Sequence, residues 1–203
     1  GSNNVAIGDA ALYANTTANR NTAVGKSSMV ANTTGAENAA LGSYALDANT
    51  TGSRNVAVGD NALTAATTAS DNTMVGSNSG MAITTGAENV GVGRAVMAAT
   101  TTGGSNVAMG YIALDANTTG SNNTAVGREA LSANTTANNN TAVGYVSGSS
   151  NTTGAGNVSV GESSLKTNTE GDNNVGVGKN ALEATTGDSN TGVGKDAGKS
   201  ITS

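Results

Sequence analysis

The sequence predicts an all-β fold, a parallel β-solenoid (β-roll) of about twelve 17-residue coils that forms one domain over residues 1–203. The first observation is an Asn-x-x-x-Gly pattern that returns every 17 residues, with only the last interval one residue shorter. The second is that apolar residues return in phase with it, which a disordered Gly- and Asn-rich linker has no reason to maintain. Such a period is typical of repeat proteins whose units bury their apolar sides on one another.

The asparagine of the repeat is expected to form a structural ladder, because identical amides stacked at one strand spacing can donate to and accept from each other. Its positions are Asn4, Asn21, Asn38, Asn55, Asn72, Asn89, Asn106, Asn123, Asn140, Asn157, Asn174 and Asn190. The glycine is expected to end each strand in a turn that needs positive φ or close backbone approach. Its positions are Gly8, Gly25, Gly42, Gly59, Gly76, Gly93, Gly110, Gly127, Gly144, Gly161, Gly178 and Gly194.

Each coil reads as two short strands. Val5 and Ile7 share a parity on the first strand, and the position of Ile7 is aliphatic or Met in all repeats, so we expect both side chains to point into the core. Leu12 begins a second apolar cluster, and the Asn-Thr-Thr-Gly stretch after it is expected to close the coil as a turn. At one strand spacing per coil, about 4.8 Å, the twelve coils would form a rod roughly 55–60 Å long.

Three repeats carry glycine where the others carry Leu or Met, at Gly80, Gly148 and Gly198. We expect neighbouring apolar side chains to fill part of the resulting gap. The candidates are Met81 and Ile83 beside the first of these glycines and Ile201 beside the last.

Charges at one position offer a test of the stacking. Arg20, Glu37, Arg54 and Asp71 occupy equivalent positions in successive repeats, so in-register coils would place opposite charges side by side. Glu88, the next in this series, follows Asp71 with the same sign.

The position of Ala6 predicts an interface between chains. On a strand it points away from Val5 and Ile7, yet it never carries a charge, and a strand that is apolar on both faces is expected to be covered on both. The position of Ala11, which is opposite in parity to Leu12, likewise never carries a charge and is always Ala, Ser or Val. The predicted inter-chain face consists of Ala6, Ala23, Ala40, Ala57, Ala108, Ala125 and Ala142.

Composition argues against catalysis. The chain has no His and no Cys, which removes the commonest general base and metal ligand and every thiol nucleophile. We therefore expect no enzyme activity, no cofactor and no metal site. A net charge of −5 argues against a nucleic-acid surface, and no apolar run has the length of a membrane span, so we expect neither partner. Repetition of the turn produces glycosylation-like Asn-Thr-Thr triplets at Asn15, Asn32, Asn49, Asn117, Asn134 and Asn151.

The unit Asn-Val-Ala-Val-Gly at residues 55–59, and Asn-Thr-Ala-Val-Gly at 123–127, resembles the head repeat of trimeric autotransporter adhesins. The full array resembles still more the Asn-Thr-Ala-Val-Gly repeats of bacteriophage tail fibres and related surface fibres. The resemblance implies a left-handed β-roll, a homotrimer, and a role in attachment to a host-surface glycan or protein, with an extracellular place on a cell surface or virion. The usual adhesin repeat is shorter than 17 residues, which implies an extra or longer turn here.

Two alternatives to a trimeric attachment fibre stay open from the residues. Segments of this kind could add end to end into an extracellular filament, since terminal coils are open sheet edges. A monomeric solenoid could instead bind ice or a polysaccharide surface through Thr and Asn ladders. Turn chemistry alone favours the simpler interpretation that the turn threonines bond their own backbone.

Overall fold

The computed structural model describes residues 1–201, which form twelve three-residue strands joined by turns, with no helix in this range. The strands are β1 (Val5–Ile7), β2 (Thr22–Val24), β3 (Ala39–Leu41), β4 (Val56–Val58), β5 (Thr73–Val75), β6 (Val90–Val92), β7 (Val107–Met109), β8 (Thr124–Val126), β9 (Thr141–Val143), β10 (Val158–Val160), β11 (Val175–Val177) and β12 (Thr191–Val193). Each strand pairs in parallel with the next one along the chain, which makes a single sheet in sequence order. The predicted parallel β-solenoid is confirmed.

The coils stack in register. Val5 pairs with Thr22 and Ile7 with Val24, an offset of one repeat. The one-residue deletion before the last coil is absorbed in the turn, because Val175 still pairs with Thr191 and Val177 with Val193. We call a set of equivalent positions in successive coils a column and name it after its member in the first coil.

The coil has one strand, and the prediction of a second strand around Leu12 is wrong. Ala10 and Leu12 have φ of 57° and 52°, and this left-handed backbone cannot form an extended strand. Bonding between coils nevertheless continues, since the Leu12 N–H donates to the Ser28 carbonyl at 3.1 Å and the Ala14 N–H to the Val30 carbonyl at 3.0 Å. The non-strand part of the coil therefore satisfies its backbone donors in the same way as the sheet does.

The core is narrow, and small side chains fill its strand side. The middle residue of each strand points inward, so the Ala6 column is buried from the second coil onward. The Leu12 column packs against it from the other side of the coil. The prediction that Val5 and Ile7 point inward is wrong for a steric reason: only Ala, Gly, Ser and one Met fit the space, whereas Val and Ile are accommodated outside.

The fifth coil shows how tightly this core is matched. Gly80 stands in the Leu12 column, and a methyl group added to it would lie 2.9 Å from Ile83 Cδ1 and 3.0 Å from Met74 Cγ. Ile83 therefore fills the gap as predicted, together with Met74 from the Ala6 column. Met81 is exposed and does not contribute. Ile201 lies beside Gly198, where its Cδ1 would be 2.9 Å from an added methyl group, but its side chain is partly exposed and does not close the gap as Ile83 does.

Met74→Ala is expected to lower the free energy of unfolding by about 2–4 kcal/mol, because it opens a cavity that the surrounding backbone cannot close. The measurement is urea unfolding followed by circular dichroism at a fixed protein concentration. Met74→Ala combined with Gly80→Leu and Ile83→Ala reproduces the set found in the fourth coil, Ala57, Leu63 and Ala66, and should recover part of the loss. A triple variant that is less stable than Met74→Ala would contradict this compensation of side-chain volume.

Candidate interaction surfaces

The twelve repeat asparagines line the inside of the coil. The backbone N–H of Asn89 donates to Asn72 Oδ1 at 3.0 Å, and its Nδ2 donates to the same oxygen at 3.1 Å and to the Gly103 carbonyl at 3.0 Å. Its own Oδ1 accepts from the backbone N–H of Asn106 at 3.0 Å. A buried amide with these partners links three coils and presents nothing to a ligand.

A second set of asparagines, in the Asn15 column, is also internal. Asn49 Nδ2 donates to Asn32 Oδ1 at 2.8 Å and to the Gly52 carbonyl at 3.0 Å. Its buried members are Asn32, Asn49, Asn117, Asn134, Asn151 and Asn168. A buried, bonded amide cannot accept a glycan in the folded chain, so all the buried Asn-Thr-Thr triplets are structural.

From the first coil to the eleventh, the repeat glycines lie where the backbones of successive coils approach each other closely. Their φ values lie between 120° and 145°. At Gly59 a Cβ would stand 2.5 Å from the carbonyl oxygen of Gly76 in the next coil. The residue is therefore fixed both by its backbone conformation and by lack of space, and it has no role at the surface.

The predicted inter-chain face is wrong. Its members from the second coil onward lie in the core of their own chain and cannot contact another: Ala23, Ala40, Ala57, Ala108, Ala125 and Ala142. Ala6 is exposed, but it stands in the first coil of the described chain, where no preceding coil covers it. The Ala11 column is internal as well. The absence of charge at these positions reflects the narrow core.

The outward face of the sheet carries the Val5 and Ile7 columns instead. Neither column has a buried member. Leu41 is 50%, Met109 45% and Val92 37% exposed, although all three are large apolar residues. The Val5 column, which is Val or Thr on every strand except for Ala39, and the Ile7 column together form an uncharged stripe along all twelve strands, which we call the strand face. In soluble proteins, large exposed apolar patches are found at interaction sites, at ligand grooves and at surfaces prone to aggregation.

Sequence reasoning missed the strand face because it ranked positions by hydrophobicity. Side-chain size was the informative signal. A coil of 17 residues encloses little space, so the column that is Ala, Gly or Ser in every coil except for Met74 had to be the inner one.

Charged residues lie on the turns and stack as the register requires. Arg20 pairs with Glu37 at 2.5 Å and Arg54 with Asp71 at 2.6 Å, which confirms the predicted alternation. The hydrogen bond from Arg54 lowers the pKa of Asp71. The side chains of both pairs are largely exposed, so the pairs contribute little to stability.

Aromatic and basic side chains alternate in the Asp9 column of the middle coils. Arg94 and Arg128 lie on either side of the Tyr111 ring, each 5.8 Å from its centroid, and Arg128 is also 5.7 Å from Tyr145. Glu129 pairs with Arg128 at 2.8 Å. The ring faces are thus occupied by guanidinium groups of the same chain, and we assign this cluster to coil stacking.

Within residues 1–201 there is no group of three or more carboxylates close enough to hold a metal ion. A cavity of about 10 Å³ lies beside Gly148, where Leu is missing from the core, and it is too small for an organic ligand. Over the same residues, no helix is long and apolar enough to cross a membrane.

Comparison with known proteins adds no relative, since no family model, no curated protein and no solved structure matches the chain.

Proposed function

We propose that this chain is a structural and adhesive segment of an extracellular fibre in which three copies associate through the strand face. The observation that carries the proposal is the strand face itself, which is apolar, uncharged over twelve strands and exposed in the single chain. Association of copies through the strand face removes apolar area from water, which stabilises the assembly by roughly 25 cal/mol for each Å² that is buried.

The regularity of the strand face favours a second copy of the same chain as the cover. Every copy presents the same two columns at the same spacing of about 4.8 Å. When copies lie parallel, each strand of one copy can therefore face the equivalent strand of the next copy over the whole length. Three copies is the number implied by the resemblance to trimeric surface fibres. The same resemblance supports a place on a cell surface or virion and a role in attachment.

A stack of identical coils extends by repetition and keeps one cross-section, which suits a shaft or head that carries a binding surface away from its anchor. The shape and the strand face are thus both accounted for by a fibre.

Val92→Lys together with Val126→Lys is expected to convert the assembly into single chains. Val92 and Val126 lie two coils apart on the strand face, and both side chains are at least partly exposed. A single chain can therefore accommodate the lysines, whose charged ends reach solvent. In the assembly each lysine would be buried against the same lysine of the neighbouring copies. Burying these unpaired like charges would strongly destabilise the association. Light scattering coupled to gel filtration gives the mass, and circular dichroism checks the fold.

The matched control is Thr102→Lys with Thr136→Lys, which adds the same charge to the same two coils on their exposed turns. It should leave the mass of the assembly unchanged. Equal dissociation by both double variants would show that added charge, rather than the strand face, is responsible. An unchanged mass for the strand-face variant would reject this face as the interface.

A further inference from the structure

The two neighbouring threonines of the Asn-Thr-Thr turn have different roles. In the Thr16 column, each hydroxyl from the first coil to the ninth donates to a carbonyl of the next coil, as Thr50 Oγ1 does to Thr67 at 3.0 Å. These threonines therefore bond the backbone of the neighbouring coil and not, as expected from turn chemistry, that of their own turn.

The Thr17 column follows a different rule. All its hydroxyls are exposed, and none has a hydrogen-bond partner in residues 1–201. The column runs unbroken through nine coils: Thr17, Thr34, Thr51, Thr68, Thr85, Thr102, Thr119, Thr136 and Thr153. We call it the threonine ladder.

The fold does not require these threonines. In the tenth coil Glu170 occupies the same column, also exposed, and the coil keeps its strand and register. Two residues further on, the Asn19 column is small or amide-bearing and uncharged over the same nine coils, and then carries Asp172 in the tenth. Charge is thus compatible with this strip and yet absent from nine consecutive coils.

We infer that the threonine ladder is a binding surface for an extended, neutral, β-1,4-linked polysaccharide that lies along the coil axis. Hydroxyl groups repeat at about 4.8 Å. This is close to the advance of one sugar residue in such a chain. Each threonine offers a hydroxyl to a sugar hydroxyl and a methyl to the apolar face of the ring. An uncharged strip avoids the desolvation cost that charged groups would add.

A linear ligand fits better than a crystal plane of ice. The Thr16 hydroxyls are used internally, so a single rank of threonines faces outward, and a plane would need at least two. The inference goes beyond the proposed fibre, because it needs no association between chains. It is also compatible with the fibre, since the ladder lies on the turn and the strand face is elsewhere on the coil.

The test is depletion of the purified chain from solution by microcrystalline cellulose and by chitin particles. The variant is Thr102→Glu with Thr136→Glu, which places in the middle of the ladder the residue that the tenth coil already accepts. We expect the parent to bind at least one of the two particles and the variant to bind at least tenfold more weakly. The triple variant Thr102→Val, Thr119→Val and Thr136→Val keeps the shape, removes three hydroxyls and should weaken binding severalfold.

The matched control is Ser27→Glu with Asn61→Glu, which adds two charges at the same spacing in a column where Glu129 occurs naturally. It should bind within twofold of the parent. Failure of the parent to bind either particle would overturn the inference, as would an equal loss in both double variants. Thermal hysteresis without particle binding would overturn it in favour of ice. None of these outcomes bears on the mass of the assembly, which tests the fibre separately.

Discussion

Gly59→Ala is expected to lower the free energy of unfolding by about 4 kcal/mol or more, among the largest effects of any single substitution in this chain. The residue has φ of 136°, where a side chain is strained. The new methyl would also meet the backbone carbonyl of Gly76, which is held in the coil stack and has no rotamer by which to move away. Urea unfolding at a fixed protein concentration measures the loss.

Gly194→Ala is the matched control. This glycine belongs to the same column and has φ of 120°, but a methyl there would have no atom within 4 Å. It should cost only the backbone strain, about 1–3 kcal/mol. The difference between the two variants isolates the close approach of coils, and equal losses would contradict the stacking described for the glycine column.

Asn89→Ala is expected to cost about 2–5 kcal/mol. The substitution removes the Nδ2 donor to Asn72 Oδ1 and to the Gly103 carbonyl, and it leaves that carbonyl and the N–H of Asn106 buried without partners. Each unpaired buried group costs about 1–3 kcal/mol, which exceeds the value of the lost bond itself. The readout is again urea unfolding, with amide hydrogen exchange of the sixth and seventh coils as a local measure.

Asn138→Ala serves as its comparison. Asn138 is exposed, and its Oδ1 accepts one bond, from the Ser121 N–H at 2.7 Å. We expect a loss below about 1 kcal/mol, because water replaces the missing partner. If Asn138→Ala and Asn89→Ala lowered the free energy of unfolding equally, the buried asparagine ladder would stabilise the fold no more than an exposed asparagine does.

The period of the sequence was sufficient to predict the solenoid. Asn and Gly return at a fixed interval, and identical spacing leads directly to parallel, in-register coils. The alternating charges of Arg20, Glu37, Arg54 and Asp71 predicted the same register independently. The structure contains the Arg20–Glu37 and Arg54–Asp71 ion pairs that this register requires. Parallel stacking and register depend only on which residues recur and at what interval, and both can be read directly from the sequence.

The direction of side chains could not be predicted in the same way. Strand alternation fixes that Ala6 and Ile7 point to opposite faces, but it does not say which face is the inside. Hydrophobicity favoured Ile7, whereas the narrow coil admits only the smaller residue. The second strand failed for a related reason, since a non-glycine residue such as Leu12 at positive φ is uncommon and leaves no mark in composition.

Both candidate surfaces depend on details that a repeat pattern does not specify. The strand face exists because Val5 and Ile7 point outward, and the threonine ladder exists because Thr16 and Thr17 differ in their hydrogen bonds. Two adjacent threonines look identical in the sequence. Their roles differ because one hydroxyl reaches a carbonyl of the next coil and the other faces solvent.

The absolute mass of the purified chain in solution, measured by light scattering after gel filtration, tests the central claim most directly. One chain has a mass of 19.5 kDa. The proposal predicts a particle of three times that mass, in which the strand face is covered. A particle with the mass of a single chain, stable across the accessible range of protein concentration, would contradict it.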